Sequence, residues 1–178
     1  MPTKPRLSEH VRMGMTWGAT AVDAERADAL LRAPQQIIET LYAHYDADKA
    51  AGRVGYLDKA WHAIHFVLNQ SPWEGEPPLG WVIFGGTPVA DDSDEAVPRH
   101  LPAEHVRQIA AALAALPADK FARRYDAQAL ADAEIYPEVI WLRDGDEAKD
   151  YVLSYYADLI GFYAGAAARG DSVFNWIS

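Results

Sequence analysis

The sequence predicts a helix-rich α/β fold, with a small mixed sheet flanked by helices in a single domain. Apolar residues recur at helical spacing through several long segments, and three short apolar runs read as strands. Those strands lie far apart with helices between them, which favours a partly parallel sheet. At 178 residues the chain has the length of one domain and can bury one core.

Residues 1–12 (MPTKPRLSEHVR) are basic and hold few large apolar groups, so they are expected to form a flexible N-terminal arm, with the domain spanning 13–178. No hydrophobic stretch follows the basic residues, so the start does not read as a secretory signal. MGM at 13–15 begins the ordered pattern and offers an alternative start. Residues 15–22 (MTWGATAV) alternate as a strand does and end at Asp23, a natural N-cap for the helix AERADALLRA. Pro34 breaks that helix and suits the first turn of the next, PQQIIETLYAHY. Residues 46–55 read as loop. Residues 56–69 (YLDKAWHAIHFVLN) predict a helix with Leu57, Trp61, Ile64 and Leu68 on one stripe.

The proline- and glycine-rich segment 71–80 (SPWEGEPPLG) reads as loop, and 81–86 (WVIFGG) as a short buried strand. After a further loop, AEHVRQIAAALAAL is a helix opened near Pro102 and closed by Pro117. ADKFARRY forms a short helix, and Asp126 caps another turn, AQALADA. EIYPEVIW is irregular around Pro137. The longest helix runs over 146–169, with Tyr151, Tyr155, Leu159 and Phe162 on its buried stripe and Gly170 at its C-terminal cap. SVFNWIS closes the chain as a strand.

The net charge of −10 argues against nucleic acid and against an anionic membrane surface, both of which need a basic face. It suits a cationic ligand or a basic protein partner, and it also keeps a protein soluble. With no cysteine, thiolate metal sites, disulfides and a cysteine nucleophile are excluded. No apolar run reaches the ~18 residues of a membrane span, and a cytoplasmic location is the expectation.

Asp58, His62, His65 and Asn69 are spaced four, three and four residues apart, which on a helix puts them on one polar stripe. A carboxylate one turn from an imidazole could orient a general base. Equally, the aspartate could cap the helix while the histidines bond to neighbouring loops. HAIH has an i, i+3 metal spacing but lacks a zincin glutamate and any local third ligand, so no metal is expected. FGGTP is not followed by a helix start and reads as a turn rather than a phosphate cradle. DDSDE at 91–95 lacks the glycine and distant glutamate of a calcium loop and reads as a solvated acidic loop. No serine sits in a nucleophile-elbow pattern. Glu134 stands among large apolar residues, a setting that raises a carboxylate pKa, or it could satisfy backbone donors there.

LDKAWHAIHFVL at 57–68, PLGWVIFGGTPV at 78–89, LPAEHVRQIAAAL at 101–113 and AEIYPEVIW at 133–141, with MGM before them, resemble a bacterial family called YfbM-like, a domain of unknown function. The likeness spans nearly the whole chain from Met13. The family pattern falls on Asp58, Lys59, Trp61, His65, Glu134, Tyr136 and Pro137; His62 lies outside it. The chain departs from the pattern at Pro102-Ala103, where related sequences show Thr-Pro. The resemblance implies a three-layer α/β/α arrangement and no established activity.

Two functions compete. The first is a non-catalytic binding domain for a protein or small-molecule ligand, a basic protein partner included. The second is a cofactor-free hydrolase or transferase with Asp58, His65 and Glu134 in one aromatic-walled pocket. The candidate site comprises Asp58, Lys59, Trp61, His62, His65, Glu134 and Tyr136. No cofactor is expected, and the chain is expected to be a monomer or weak dimer.

Overall fold

The computed structural model describes residues 14–90 and 96–178. The expected arm and the acidic run at 91–95 lie outside the described residues. Five strands form one open sheet: β1 (Trp17–Val22), β2 (Val54–Asp58), β3 (Thr87–Pro88), β4 (Arg99–Leu101) and β5 (Ser172–Ile177). Their order is β2-β1-β5-β4-β3, and every pairing is antiparallel. This corrects the expected partly parallel sheet. A single helix between two strands carries the chain back to start a parallel neighbour. Here several helices intervene between β1 and β2 and between β4 and β5, and in both places they return the chain to the end of the sheet it left.

The helices are α1 (Ala24–Arg32), α2 (Ile37–Ala43), α3 (Tyr45–Ala50), α4 (Trp61–Asn69), α5 (Trp81–Phe84), α6 (Ala103–Ala114), α7 (Ala118–Arg124), α8 (Ala127–Asp132), α9 (Ile140–Arg143) and α10 (Asp146–Arg169). A 3₁₀ turn at Pro34–Gln36 precedes α2. Strand alternation divides the core in two. Trp17, Ala19, Ala21, Leu57 and Val173 face the larger cluster, with Trp61 and Ile64 of α4, Val106 and Ile109 of α6, and Val152, Tyr156 and Leu159 of α10. Val22, Phe174 and Trp176 face the opposite way, onto Ala27, Leu30, Ile37 and Leu41 of α1 and α2. The result is an α/β/α sandwich with unequal helical layers.

Local rules hold at several ends. Asp23 caps α1 by accepting from Arg26 N–H at 2.9 Å, and Asp126 caps α8 through Gln128 and Ala129. Gly170 ends α10 with φ 73°. Buried Asp171 then accepts from Arg53 and Arg169 at 2.8 and 2.7 Å, fastening the end of α10 beside β2.

Several segments differ from expectation: Tyr45–Ala50 is helix α3 where most of it was expected as loop, and the short strands β3 and β4 lie in a stretch read as loop. Residues 54–58 form an edge strand, so α4 begins only at Trp61. WVIF at 81–84 is one helical turn, closed by Gly85 N–H donating to the Trp81 carbonyl at 3.0 Å. A short, wholly apolar run carries no period that separates a buried strand from a buried turn. Among the described residues, no helix is long and apolar enough to cross a membrane.

Candidate functional site

Helix α4 is buried along most of its length, including both histidines. His62 Nδ1 accepts from the Tyr136 backbone N–H at 3.0 Å, and Nε2 lies 2.9 Å from the Pro72 carbonyl. The carbonyl can only accept, so Nε2 carries the proton and the ring is neutral. His65 follows the same logic. Nε2 donates to the Glu74 carbonyl at 3.2 Å, and Nδ1 faces the Asn69 amide at 3.3 Å. Burial pushes the His65 pKa down to about 4 and lowers that of His62 as well, because the charged ring is penalised in a dry setting. Asn69 also donates to the Leu79 carbonyl at 3.3 Å. Three polar side chains of α4 thus pin the loop between Ser71 and Gly80. Gly75 packs directly on Asn69, where a Cβ would collide.

Trp61 completes this cluster. Its Nε1 donates to the Met15 carbonyl at 3.0 Å, and its ring stacks on Tyr136 with centroids 5.8 Å apart. The Tyr136 hydroxyl accepts from Met15 N–H at 2.9 Å. Trp61, His62, His65 and Tyr136 therefore belong to one packed unit that joins α4 to the start of β1 and to the irregular segment at 134–139.

Asp58 belongs elsewhere. The β1–β2 register shifts beside it, its φ is 47°, and it does not cap α4. Its carboxylate accepts from the Tyr151 hydroxyl at 2.8 Å and lies 3.4 Å from that of Tyr56. Lys59 N–H donates to the Tyr151 oxygen at 3.1 Å, while the Lys59 side chain is exposed. Tyr155 stands edge-on to both tyrosines, 5.1 Å from Tyr151 and 6.5 Å from Tyr56. Burial, reinforced by Asp58, raises the pKa of all three phenols and keeps them protonated as donors. Glu134 is exposed, and the residue buried in EIYP is Ile135. Among the described residues, no hydrogen bond or ion pair joins any two of Asp58, His65 and Glu134. Nor does any group of three or more histidine, aspartate or glutamate side chains among them have an arrangement that could hold a metal ion.

The sequence reading missed a different place. A cleft of about 580 Å³ runs along the outer side of β2, lined by Tyr45, Tyr56, Tyr155, Asp158 and Gly161 among others. A smaller one, about 170 Å³, lies on the other side of the same strand beside Tyr42 and Trp176. The surplus of aromatic residues was the available signal. It could not be localised, because β2 and α3 both fell where loop or helix was expected.

The fold and this arrangement define a class: an α/β/α domain with an antiparallel sheet, whose sequence motif sets Trp61 and His65 in the core. The chain belongs to the family described as a domain of unknown function, DUF1877, which it matches over residues 13–175. It is similar to the crystal structure of a protein of unknown function, YfbM from Escherichia coli. That likeness has a TM-score of 0.68 at 20% identity, covers 92% of this chain and 99% of the other, and shows the shared fold. No curated protein matches the sequence.

Proposed function

We propose that this chain is a non-catalytic, cytoplasmic binding domain that engages a basic protein partner. By analogy of charge and size, it would neutralise that partner as an immunity protein neutralises a toxin. One observation carries the reading. The two histidines of α4 are engaged by the fold, each bonded through both ring nitrogens. The exposed tyrosines Tyr45 and Tyr56 instead line a cleft with Asp158, and Tyr42 stands in the adjoining cleft, on a chain of net charge −10. Tyrosine is enriched at binding hot spots because it offers broad, stiff contact area with a polar tip.

In this reading Trp61, His62, His65 and Tyr136 are framework, and Asp58 is the motif residue nearest the binding face. The competing hydrolase or transferase reading requires His65 to reach a ligand, which its bonds to Glu74 and Asn69 oppose.

The test is photocrosslinking in cells expressing the full chain, from a benzoylphenylalanine at position 155 and, separately, at position 123 on exposed α7. The expected result is an adduct with a positively charged protein from 155 only, one that does not form when a lysate of the same cells is irradiated in ~1 M salt, which screens the charges. Equal adducts from both positions, or an acidic partner, would contradict the proposal. So would a folded His65→Ala variant of unchanged stability that no longer forms the adduct, an outcome that favours the pocket reading.

A further inference from the structure

Strand β2 ends the sheet on its side and pairs with β1 alone. An antiparallel ladder alternates residues that exchange both backbone bonds with residues whose N–H and C=O point away. Arg53, opposite Ala21, has the phase of the first kind, its carbonyl accepting the Ala21 N–H at 2.8 Å while its own N–H donates to the Asp48 carbonyl at 2.8 Å. Gly55, opposite Ala19, has the same phase. Val54 and Tyr56 therefore aim their backbone groups at the outer edge, and no backbone partner from outside the ladder meets them among the described residues. Edges left in this state are templates for strand addition unless something covers them.

At this edge the two clefts meet, sharing Tyr45, Val54, Gly55 and Tyr56. An added strand would send alternate side chains to opposite sides, one into each cleft. The larger cleft is walled by Tyr155 and Asp158 and keeps open space at Gly161, where a Cβ would meet nothing within 4 Å. Glycine inside an exposed helix costs stability, and here it leaves room in the cleft. The smaller cleft is walled by Trp176 and Tyr42 over Gly18, whose missing Cβ would press to 3.3 Å of the Trp176 ring.

Charge selects the occupant. Helix α10 exposes Asp158 in the lining of the larger cleft, and Asp58 lies beside Tyr56; neither forms an ion pair among the described residues, and the chain carries a net charge of −10. The one lysine lining the larger cleft, Lys49, holds its ammonium 5.7 Å from the Tyr45 ring centre, so a tyrosine face there already accepts a cation.

We infer that the outer edge of β2 takes an extended segment of a basic partner as an added strand. A lysine or arginine of that segment enters the cleft beside Tyr155 and Asp158, and the adjacent apolar residue enters the cleft beside Trp176 and Tyr42. This rests on the binding reading above and assigns its site and mode.

The experiment is an amide-resolved NMR titration of the full chain with a blocked heptapeptide of alternating arginine and valine. The expected result is shifts and slowed amide exchange at Val54 and Tyr56, with no binding of the matching glutamate–valine peptide. Gly161→Leu fills the larger cleft, and Val54→Pro removes an edge N–H that β1 does not use. Each is expected to weaken binding about tenfold or more while the spectrum stays folded. Binding that leaves Val54 and Tyr56 untouched, or that survives both variants, overturns the edge assignment and leaves the basic-partner reading standing. Absence of binding also overturns the edge assignment, and the crosslinks from position 155 then judge the partner reading separately. Equal binding of the glutamate peptide overturns the charge argument.

Discussion

His62 and His65 each satisfy two backbone or amide partners only as neutral rings, and that fixes how the protein responds to acid. An unfolded histidine titrates near 6.5, whereas folded His65 is held down to about 4 and folded His62 is lowered too. Between those values the unfolded chain binds more protons than the folded one, so stability rises with pH across that window. The histidine contribution is complete above ~6.5 and is lost as the pH falls towards the folded value. The urea midpoint of the wild type is therefore expected to drop between pH 7 and pH 5, and that of His65→Ala to drop less over the same range. Identical slopes for the two proteins would mean that His65 is free to charge in the fold. The heptad-like spacing of these residues was legible in the sequence. Their partners were not, because Pro72, Glu74 and Tyr136 contribute backbone atoms, which no side-chain pattern reports.

At the scale of elements, the long helices and the first and last strands could be read because each carries a period or a cap. Helix α10 has Gly170 and a stripe of which Leu159 and Phe162 are buried as expected, while Tyr151 and Tyr155 are only half-buried and Val152, Tyr156 and Tyr163 take the core line; β1 has its alternation and Asp23. The misread elements are those that tertiary pairing decides. Strand β2 holds Leu57, which continues the stripe of α4 in sequence, but its neighbours Tyr56 and Asp58 pair with β1. Strands β3 and β4, of two and three residues, are too short to show alternation. One glycine in α10 has no structural partner at all. Because nothing lies within 4 Å of a Cβ built at Gly161, Gly161→Ala is expected to stabilise the protein by roughly 0.5–1 kcal/mol in urea unfolding. A loss of stability there would show that the cleft is closed in solution.

The whole molecule divides its labour. One side of the sheet, through α4, the loop it pins and the segment at 134–139, holds the larger core together. The outer edge of β2, with α3 and α10, presents tyrosines and carboxylates to solvent. Trp61, His65 and Tyr136 of the family motif fall on the first side, where side chains that look chemical by type are packed. The contrast between Trp61 and His65 measures this. Trp61→Ala removes a buried ring and its bond to Met15, and is expected to cost roughly 3–5 kcal/mol. His65→Ala leaves the Glu74 carbonyl and the Asn69 amide without their partner, and is expected to cost roughly 1–3 kcal/mol. The most direct test of the account is the equilibrium urea unfolding of His65→Ala beside wild type at pH 7. A lower midpoint is expected, with a stability loss smaller than that of Trp61→Ala and an unchanged slope. A midpoint equal to that of wild type would contradict it and return Asp58, His65 and Glu134 to the centre of the search for a site.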